Sequence, residues 1–275
     1  MKKQQPDPLW LEIRAEVEMF SRQERTLASF FHASILCHES LESALTYTLA
    51  QILGNPTVSN LSIRRVIAEV LTGGQPGRDP GQSDISRKMR MDIRAYRERD
   101  PACEYFSMPL LYFKGFHALQ VQRIGHYLWH HGRRGMALHL QSLCSENFGV
   151  DIHPGARIGG GIMIDHATGV VIGETAVVED NVSLLHAVTL GGSGNETGDR
   201  HPKIRTGVLL AAGARVLGNI EVGEGAKVGA GSLVLESVAP HTTVAGVPAR
   251  RVGVPREASP ALEMDQRIND EGASA

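Results

Sequence analysis

Apolar and polar positions follow two different periods along this chain. Before Gly149 the apolar residues recur at three and four, which lines them up on one face of an α-helix. Leu41, Leu45, Leu49 and Leu53 form one such stripe, ended by Gly54-Asn55-Pro56. Ile63, Val66, Ile67, Val70 and Leu71 form a second before the Gly73-Gly74 stop, and Ile85, Met89, Ile93 and Tyr96 form a third. The third should stop at Asp100, because Pro101 pushes the residue before it out of the α region. The longest helix is predicted from about Leu111 to His131, where Gly132 ends it, and a last one reaches Phe148-Gly149.

Beyond Gly149 the period becomes six. Ile152, Ile158, Ile164 and Val170 keep it; after a slip of two residues Ile172, Val178, Leu184 and Leu190 resume it. Past Gly207 the same spacing joins Leu210, Val216, Val222, Val228 and Val234, with Ala214, Ile220, Ala226, Ser232 and Val238 four residues beyond each. A period of six is neither that of a helix nor that of a plain strand. It suits a coil of short strands in which each hexapeptide makes one flat side and one corner, so that about 18 residues complete a triangular turn. Aliphatic side chains then stack down the interior, and glycine supplies the corner angles other residues avoid. Every Phe, Tyr and Trp lies between Trp10 and Phe148, as a narrow interior without space for aromatic rings requires.

With 275 residues the chain is long enough for two domains. The expected division is 1–148, an all-helical N-terminal domain; 149–254, the coil; and 255–275, a flexible tail. Lys plus Arg number 28 against 30 Asp plus Glu, a net charge of −2 that offers no field for nucleic acid or an anionic membrane. The start, Met1-Lys2-Lys3 running into Pro6, Asp7, Glu12 and Arg14, lacks the apolar stretch of a signal peptide. Cys37, Cys103 and Cys144 are odd in number, far apart and without CxxC, which speaks against both disulfides and zinc. A reduced cytoplasmic protein without a metal is expected.

The period fails twice, and interruptions of a regular scaffold tend to carry function. The slip falls on Asp165-His166-Ala167-Thr168-Gly169, so the coil should bulge there and present His166 outside its wall. The second break is Gly191 to Pro202, whose glycines lack the GK[ST] of a phosphate loop. The run Arg87, Lys88, Arg90, Arg94, Arg97 and Arg99, mixed with Asp84, Asp92, Glu98 and Asp100, reads as a solvated helix face.

Several of these segments resemble those of the serine acetyltransferases: Asp100-Pro101-Ala102, Val150 to Pro154, Asp165 to Gly169, Gly173-Glu174-Thr175-Ala176 and Asp199 to Ile204. Val244 to Arg250 is shared more widely among acyltransferases, and the likeness runs from about Leu9 to Gly253. It implies an α+β fold, an all-helical N-terminal domain followed by a left-handed parallel β-helix of hexapeptide repeats. The hand comes from the resemblance, since ordinary parallel crossovers are right-handed. It also implies acetyl transfer from acetyl-CoA to the L-serine hydroxyl, giving O-acetylserine in the first step of cysteine biosynthesis from serine, with acetyl-CoA as co-substrate and no permanently bound cofactor.

That reaction needs a base for the hydroxyl proton and donors for the tetrahedral oxyanion, and an imidazole titrates in the useful range. His166 takes the role of base. The resemblance supplies Asp151 as the carboxylate behind it, Asp100 and Asp165 for the substrate ammonium, and Arg200 and His201 for its carboxylate. Amides around Gly192 and of Ala212 are assigned to acetyl-CoA. L-Cysteine, with the same charged groups as serine, is expected as feedback inhibitor, and a homotrimer or a hexamer built as a dimer of trimers is the implied assembly. Relatives often end in an isoleucine that enters O-acetylserine sulfhydrylase; this sequence finishes at Ala275, so that complex is expected to be weak or absent. Three rivals remain: a hexapeptide acyltransferase acting on a sugar or xenobiotic hydroxyl, a γ-type carbonic anhydrase using His153, His166, His186 and His201, and a non-catalytic assembly protein. His186 and His201 also compete as base.

Overall fold

The computed structural model describes residues 7–73, 81, 83–194 and 197–268. The tail 269–275, residues 195 and 196 of the glycine-rich break, Gly74 and the first six residues lie outside them. Eight helices come first: α1 (Pro8–Gln23), α2 (Ala28–Phe31) running into a π-helical turn at His32–Leu36, α3 (Leu41–Leu53), α4 (Asn60–Leu71), α5 (Asp84–Arg99), α6 (Ser107–Tyr112), α7 (Lys114–His130) and α8 (Arg134–Phe148). Serines start three of them, Ser40, Ser59 and Ser83 each accepting a bond from an amide three residues on. α5 ends at Asp100 in an extended conformation, as Pro101 demands. The long helix expected from Leu111 to His131 is instead two. Phe113 steps out to φ −92°, ψ 105°, and its ring packs 5.6 Å from that of Tyr96. Two residues later Gly115 lets α7 touch the coil, for a Cβ there would lie 2.1 Å from the Ile164 carbonyl oxygen.

From Val150 the chain winds a left-handed parallel β-helix of about 5 turns. Its first wall stacks Val150–Ile152, Val170–Ile172, Thr189–Gly191, Arg215–Leu217 and Leu233–Val234. The second stacks Arg157–Ile158, Val177–Val178, Lys203–Ile204 and Glu221–Val222; the third stacks Met163–Ile164, Ser183–Leu184, Leu209–Leu210, Lys227–Val228 and Thr243–Gly246. Registers follow the period of six, as in Ile172↔Leu190 and Leu210↔Val228, and they step across the two interruptions at Ile152↔Ile172 and Leu184↔Leu210; these ladder residues are buried. Each such aliphatic side chain contributes on the order of 1.5–3 kcal/mol by leaving water. Antiparallel Ala249–Gly253 closes the third wall at the far end. Residues 255–268 do not all hang free as expected of a tail: α9 (Pro260–Glu263) buries Pro260 and Ala261. None of the helices is long and apolar enough to cross a membrane among the described residues.

A stack of coils leaves open backbone groups at its first rung, and these need partners. Side chains of α5 and α7 provide them. Asp92 accepts from the Ile162 amide (2.9 Å), Tyr96 both donates to the Ile164 carbonyl (2.9 Å) and accepts from its amide (3.0 Å), and Gln122 donates to Ala156 O (2.9 Å). Arg123 donates to Ile158 O and grips Asp92 through both Nη2 and Nε, with an ion-pair distance of 2.8 Å. Asp92 is 0% exposed. The solvated-face reading of this helix therefore holds for Asp84, Arg87 and Arg94 but fails for Asp92, for Arg99, which is buried, and for Arg90, which pairs with Asp7 and Glu42. Arg99 donates to Ser183 Oγ (3.1 Å) and Asn181 Oδ1 (3.3 Å), and Ser183 donates on to Ala261 O (2.8 Å).

Replacing Arg123 by Met leaves the Asp92 carboxylate buried without its cation, so Arg123→Met should lose about 3–5 kcal/mol of stability. Urea unfolding followed by far-ultraviolet circular dichroism, at matched protein concentration, measures it. A loss below about 1 kcal/mol would mean that the pair is not what fastens the helices to the coil.

Candidate active site

The slip in the six-residue period produces a bulge where the third wall turns into the first. His166 (φ 55°), Ala167 (φ 58°) and Gly169 (φ 78°) all take left-handed backbone angles, two of them without being glycine. The Ala167 amide bonds Asp165 O (2.6 Å) and the Thr168 amide bonds His166 O (2.7 Å), two successive tight turns. Strain of this kind persists where the surroundings enforce it, and it is common at functional sites. The His166 side chain emerges 75% exposed, with Nε2 3.6 Å from Asp165 Oδ2. His186 stands one coil on at the same corner, its ring centroid 6.0 Å from that of His166, and the register Leu184↔Leu210 brings Ala212 to the corner after that.

Asp100 reaches this corner from the end of α5. Its Oδ1 accepts from the Ala102 amide (2.8 Å), and the buried Arg99 beside it ties the helix end to the second coil. Asp165 feels that neighbour. Partial burial raises its pKa above the ordinary aspartate value, His166 pulls it back, and the Asp100 carboxylate pushes it further up. Two acidic groups that resist sharing negative charge make a natural seat for a cation.

Arg200 and His201 lie at a different corner, where the first wall turns into the second. Arg200 Nη2 pairs with Glu174 (3.0 Å) and Nη1 donates to Gly198 O (3.1 Å), and the Arg200 contact is the main reason the Glu174 pKa is lowered. His201 is buried, and burial followed by the Arg200 and Lys203 charges lowers its pKa, so the ring stays neutral near pH 7. Its Nε2 would lie 1.9 Å from a Cβ on Gly173, so only glycine leaves room for the imidazole there. His153, two coils earlier, is likewise held neutral by burial; its Nδ1 accepts from the Gly155 amide (2.9 Å). Gly192 follows the first-wall strand at this end, against the Arg200 side chain.

Asp151 sits on the outer face of the first wall, between the two corners. Its Oδ1 accepts from Gln141 Nε2 (2.7 Å), and no hydrogen bond joins it to His166 among the described residues. Within one chain the eight predicted residues thus fall into three places: Asp100, Asp165, His166 and Ala212 at one corner, Gly192, Arg200 and His201 at the other, and Asp151 between. The four histidines of the carbonic anhydrase alternative are divided in the same way. No group of three His, Cys, Asp or Glu stands close enough to hold a metal ion among the described residues. The sequence reading assigned no role to Glu174, Thr175 or Gln141, although Glu174 and Thr175 lie in one of the segments it had singled out.

Comparison with known proteins adds the following. Residues 9–121 match the family described as serine acetyltransferase, N-terminal. The serine acetyltransferase of Salmonella typhimurium is 55% identical over 261 residues, covering 95% of this chain and 93% of the relative. A solved serine acetyltransferase in complex with cysteine superposes with a TM-score of 0.89 at 51% identity, covering 95% of this chain and 98% of its own. The Brucella abortus serine acetyltransferase in complex with coenzyme A gives 0.85 at 51%, covering 90% and 96%.

The raised pKa of Asp165 has a consequence for stability. A carboxyl group whose folded-state pKa exceeds its unfolded value destabilises the fold once it ionises: the penalty is absent below pH 3.8 and complete above the raised value. Asp165→Asn should therefore unfold at a higher temperature than the native protein at pH 7, with the gap closing as the pH falls below about 4. Scanning calorimetry at the two pH values checks this, and a variant less stable at pH 7 would show that ionised Asp165 supports the corner.

Proposed function

Because the chain belongs to the serine acetyltransferase family, we propose that its two charged corners hold the two ends of L-serine, and that His166 is the general base between them. The enzyme transfers acetyl from acetyl-CoA to the serine hydroxyl, giving O-acetylserine and coenzyme A, the step that commits serine to cysteine. The observation that carries the site assignment is the separation of charge, with Asp100 and Asp165 at one corner and Arg200 with neutral His201 at the other. Asp100 and Asp165 take the ammonium. Arg200 and the His201 ring take the carboxylate, for which the guanidinium is a natural fork.

In this reading His166 removes the hydroxyl proton as the serine oxygen attacks the thioester carbonyl. Collapse of the tetrahedral intermediate expels the coenzyme A sulfur, which takes the proton back from the imidazolium. Two carboxylates are available to steady that imidazolium. Asp165 is the nearer in this structure but shares its corner with Asp100, which suits the ammonium; Asp151 on the adjoining wall is left for His166. Backbone amides near Gly192 and Ala212 face the pantetheine and the developing oxyanion.

The two corners are separated by the width of the first wall, three strand residues or about 10 Å, whereas the ammonium and carboxylate of serine share one carbon. They can act on one serine only if they belong to neighbouring copies. A closed ring of three, with the His166 corner of each copy facing the Arg200 corner of the next, satisfies every site by one repeated contact. Exposed Leu11, Phe30 and Tyr112 on the helical half provide the apolar face through which two such rings would pair into a hexamer. L-Cysteine, alike in both charged ends, competes for the same contacts. Three cysteines without a disulfide suit a reducing cytoplasm.

Thiol release from acetyl-CoA with L-serine, compared with other amino acids and sugars, tests the activity. His166→Ala should lower kcat by about 10²–10⁴-fold, Asp151→Asn should lower kcat less, and Asp165→Asn should act chiefly on KM for serine. Unchanged turnover in His166→Ala would transfer the role of base to His186 or His201. The shared site has its own test. His166→Ala and Arg200→Ala should each be strongly impaired, but co-expressed they should recover activity in about one site in four, where an intact corner from each variant meets. No recovery from co-assembled variants would place the whole site within one chain.

A further inference from the structure

We infer that Thr175 is a positioning residue for His201: its hydroxyl and amide hold the imidazole in the tautomer protonated on Nε2 and carry the backbone of Arg200 and His201. This rests on the reading of Arg200 and His201 as the carboxylate site. The register Val177↔Lys203 sets Thr175 one coil below His201 at the same corner. Its Oγ1 accepts from the Arg200 amide (3.0 Å) and from the His201 amide (3.1 Å). A threonine hydroxyl has two acceptor positions and one proton. With both acceptor positions taken, the proton has two neighbours, the Asp199 carboxylate, whose pKa is lowered first by Lys203 and then by this hydroxyl, and His201 Nδ1, which stands at hydrogen-bond distance, 2.8 Å. The backbone amide of Thr175 also donates to Nδ1, at 3.2 Å.

A ring nitrogen receiving two donors acts as an acceptor, so the neutral imidazole carries its proton on Nε2. That atom lies over Gly173, the one place along this segment where the missing Cβ leaves it space. Burial, and after it the Arg200 and Lys203 charges, keep the ring uncharged; of the other titratable groups facing it, Glu174 pulls the other way and His153 is itself held neutral. A neutral Nε2–H beside the Arg200 guanidinium donates to a carboxylate without placing a second full cation against the first. Freed from Thr175, the ring would spend part of its time as the other tautomer, with a lone pair aimed at the substrate carboxylate. Thr175 is in this way a tautomer lock acting one residue removed from the substrate.

Thr175→Val keeps the shape and the backbone amide but removes the hydroxyl; Thr175→Ser restores it. At pH 8 the KM for L-serine should rise about tenfold or more in Thr175→Val, the size expected for a lost hydrogen bond to a charged group, while the KM for acetyl-CoA changes by less than about twofold. As the pH falls through the lowered His201 pKa the ring is protonated on both nitrogens and the donor is restored, so the ratio of variant to native KM for serine should shrink toward acid pH. Thr175→Ser should behave like the native enzyme throughout. KM profiles of Thr175→Val and the native enzyme that stay parallel down to a pH at which the His201 ring, followed by NMR, is protonated would overturn the tautomer lock, as would a Thr175→Ser variant as impaired as Thr175→Val. A fall in kcat with both KM values disturbed and a lower unfolding temperature would reduce Thr175 to a structural part. His201→Ala is the control: an unchanged KM for serine there would overturn the carboxylate reading, and the inference with it.

Discussion

Everything downstream in this molecule depends on how the first coil is sealed. A β-helix repeats its hydrogen bonds from rung to rung, but the first rung has no predecessor, and its amides and carbonyls would otherwise meet a neighbouring helix face unpaired. Asp92 and Arg123 solve both halves of the problem with one buried ion pair, the carboxylate accepting from Ile162 and the guanidinium donating to Ile158. Removing two charges from water is costly, and the pair is tolerable because both carboxylate oxygens and Nη2 make two or more hydrogen bonds while Nε and Nη1 make one each. The same fastening fixes α5 in direction and length, and so delivers Asp100 to the corner where His166 emerges.

That corner illustrates how a regular scaffold makes room for chemistry. Along the rest of the column each coil turns with one left-handed residue, Ala187, Gly213 or Gly231. Two added residues at the end of the first coil force consecutive left-handed angles at His166 and Ala167, and the imidazole is extruded from the wall. Asp165 is left partly buried beside another carboxylate, an arrangement unfavourable to folding and useful for gripping an ammonium. The opposite corner achieves neutrality for His201 by different means, through burial first and the Arg200 and Lys203 cations second, with bare Gly173 leaving room for the ring.

Much of this was readable in advance because local rules and global fold agree. Pro101 and Gly149 mark helix ends, and the six-residue spacing places Ile172 and Leu190 in one ladder. The slip at Asp165 to Gly169 was visible as arithmetic. What remained hidden has a common origin: it depends on partners distant in sequence. Asp92 and Arg99 look like members of a solvated charged helix until the coil's unpaired groups are set against them, and the break at Phe113 is decided by Tyr96 and by the approach of Gly115 to Ile164. Thr175 was invisible for the same reason, since its three hydrogen bonds lead to residues 25 and 26 positions away. Periodicity reveals which side chains stack, but not which polar groups at the corners meet.

The exclusion of aromatic rings from the coil has an optical corollary. No tryptophan or tyrosine follows Phe148, so ultraviolet absorbance near 280 nm and intrinsic emission arise wholly in the helical half. Trp10 reports from α1, packed near Arg14, while Trp129 alone among the two tryptophans leans on the β-helix, edge-on to His153 at 4.9 Å. The catalytic scaffold is thus transparent, and a fluorophore introduced at any chosen corner would be read against a dark background.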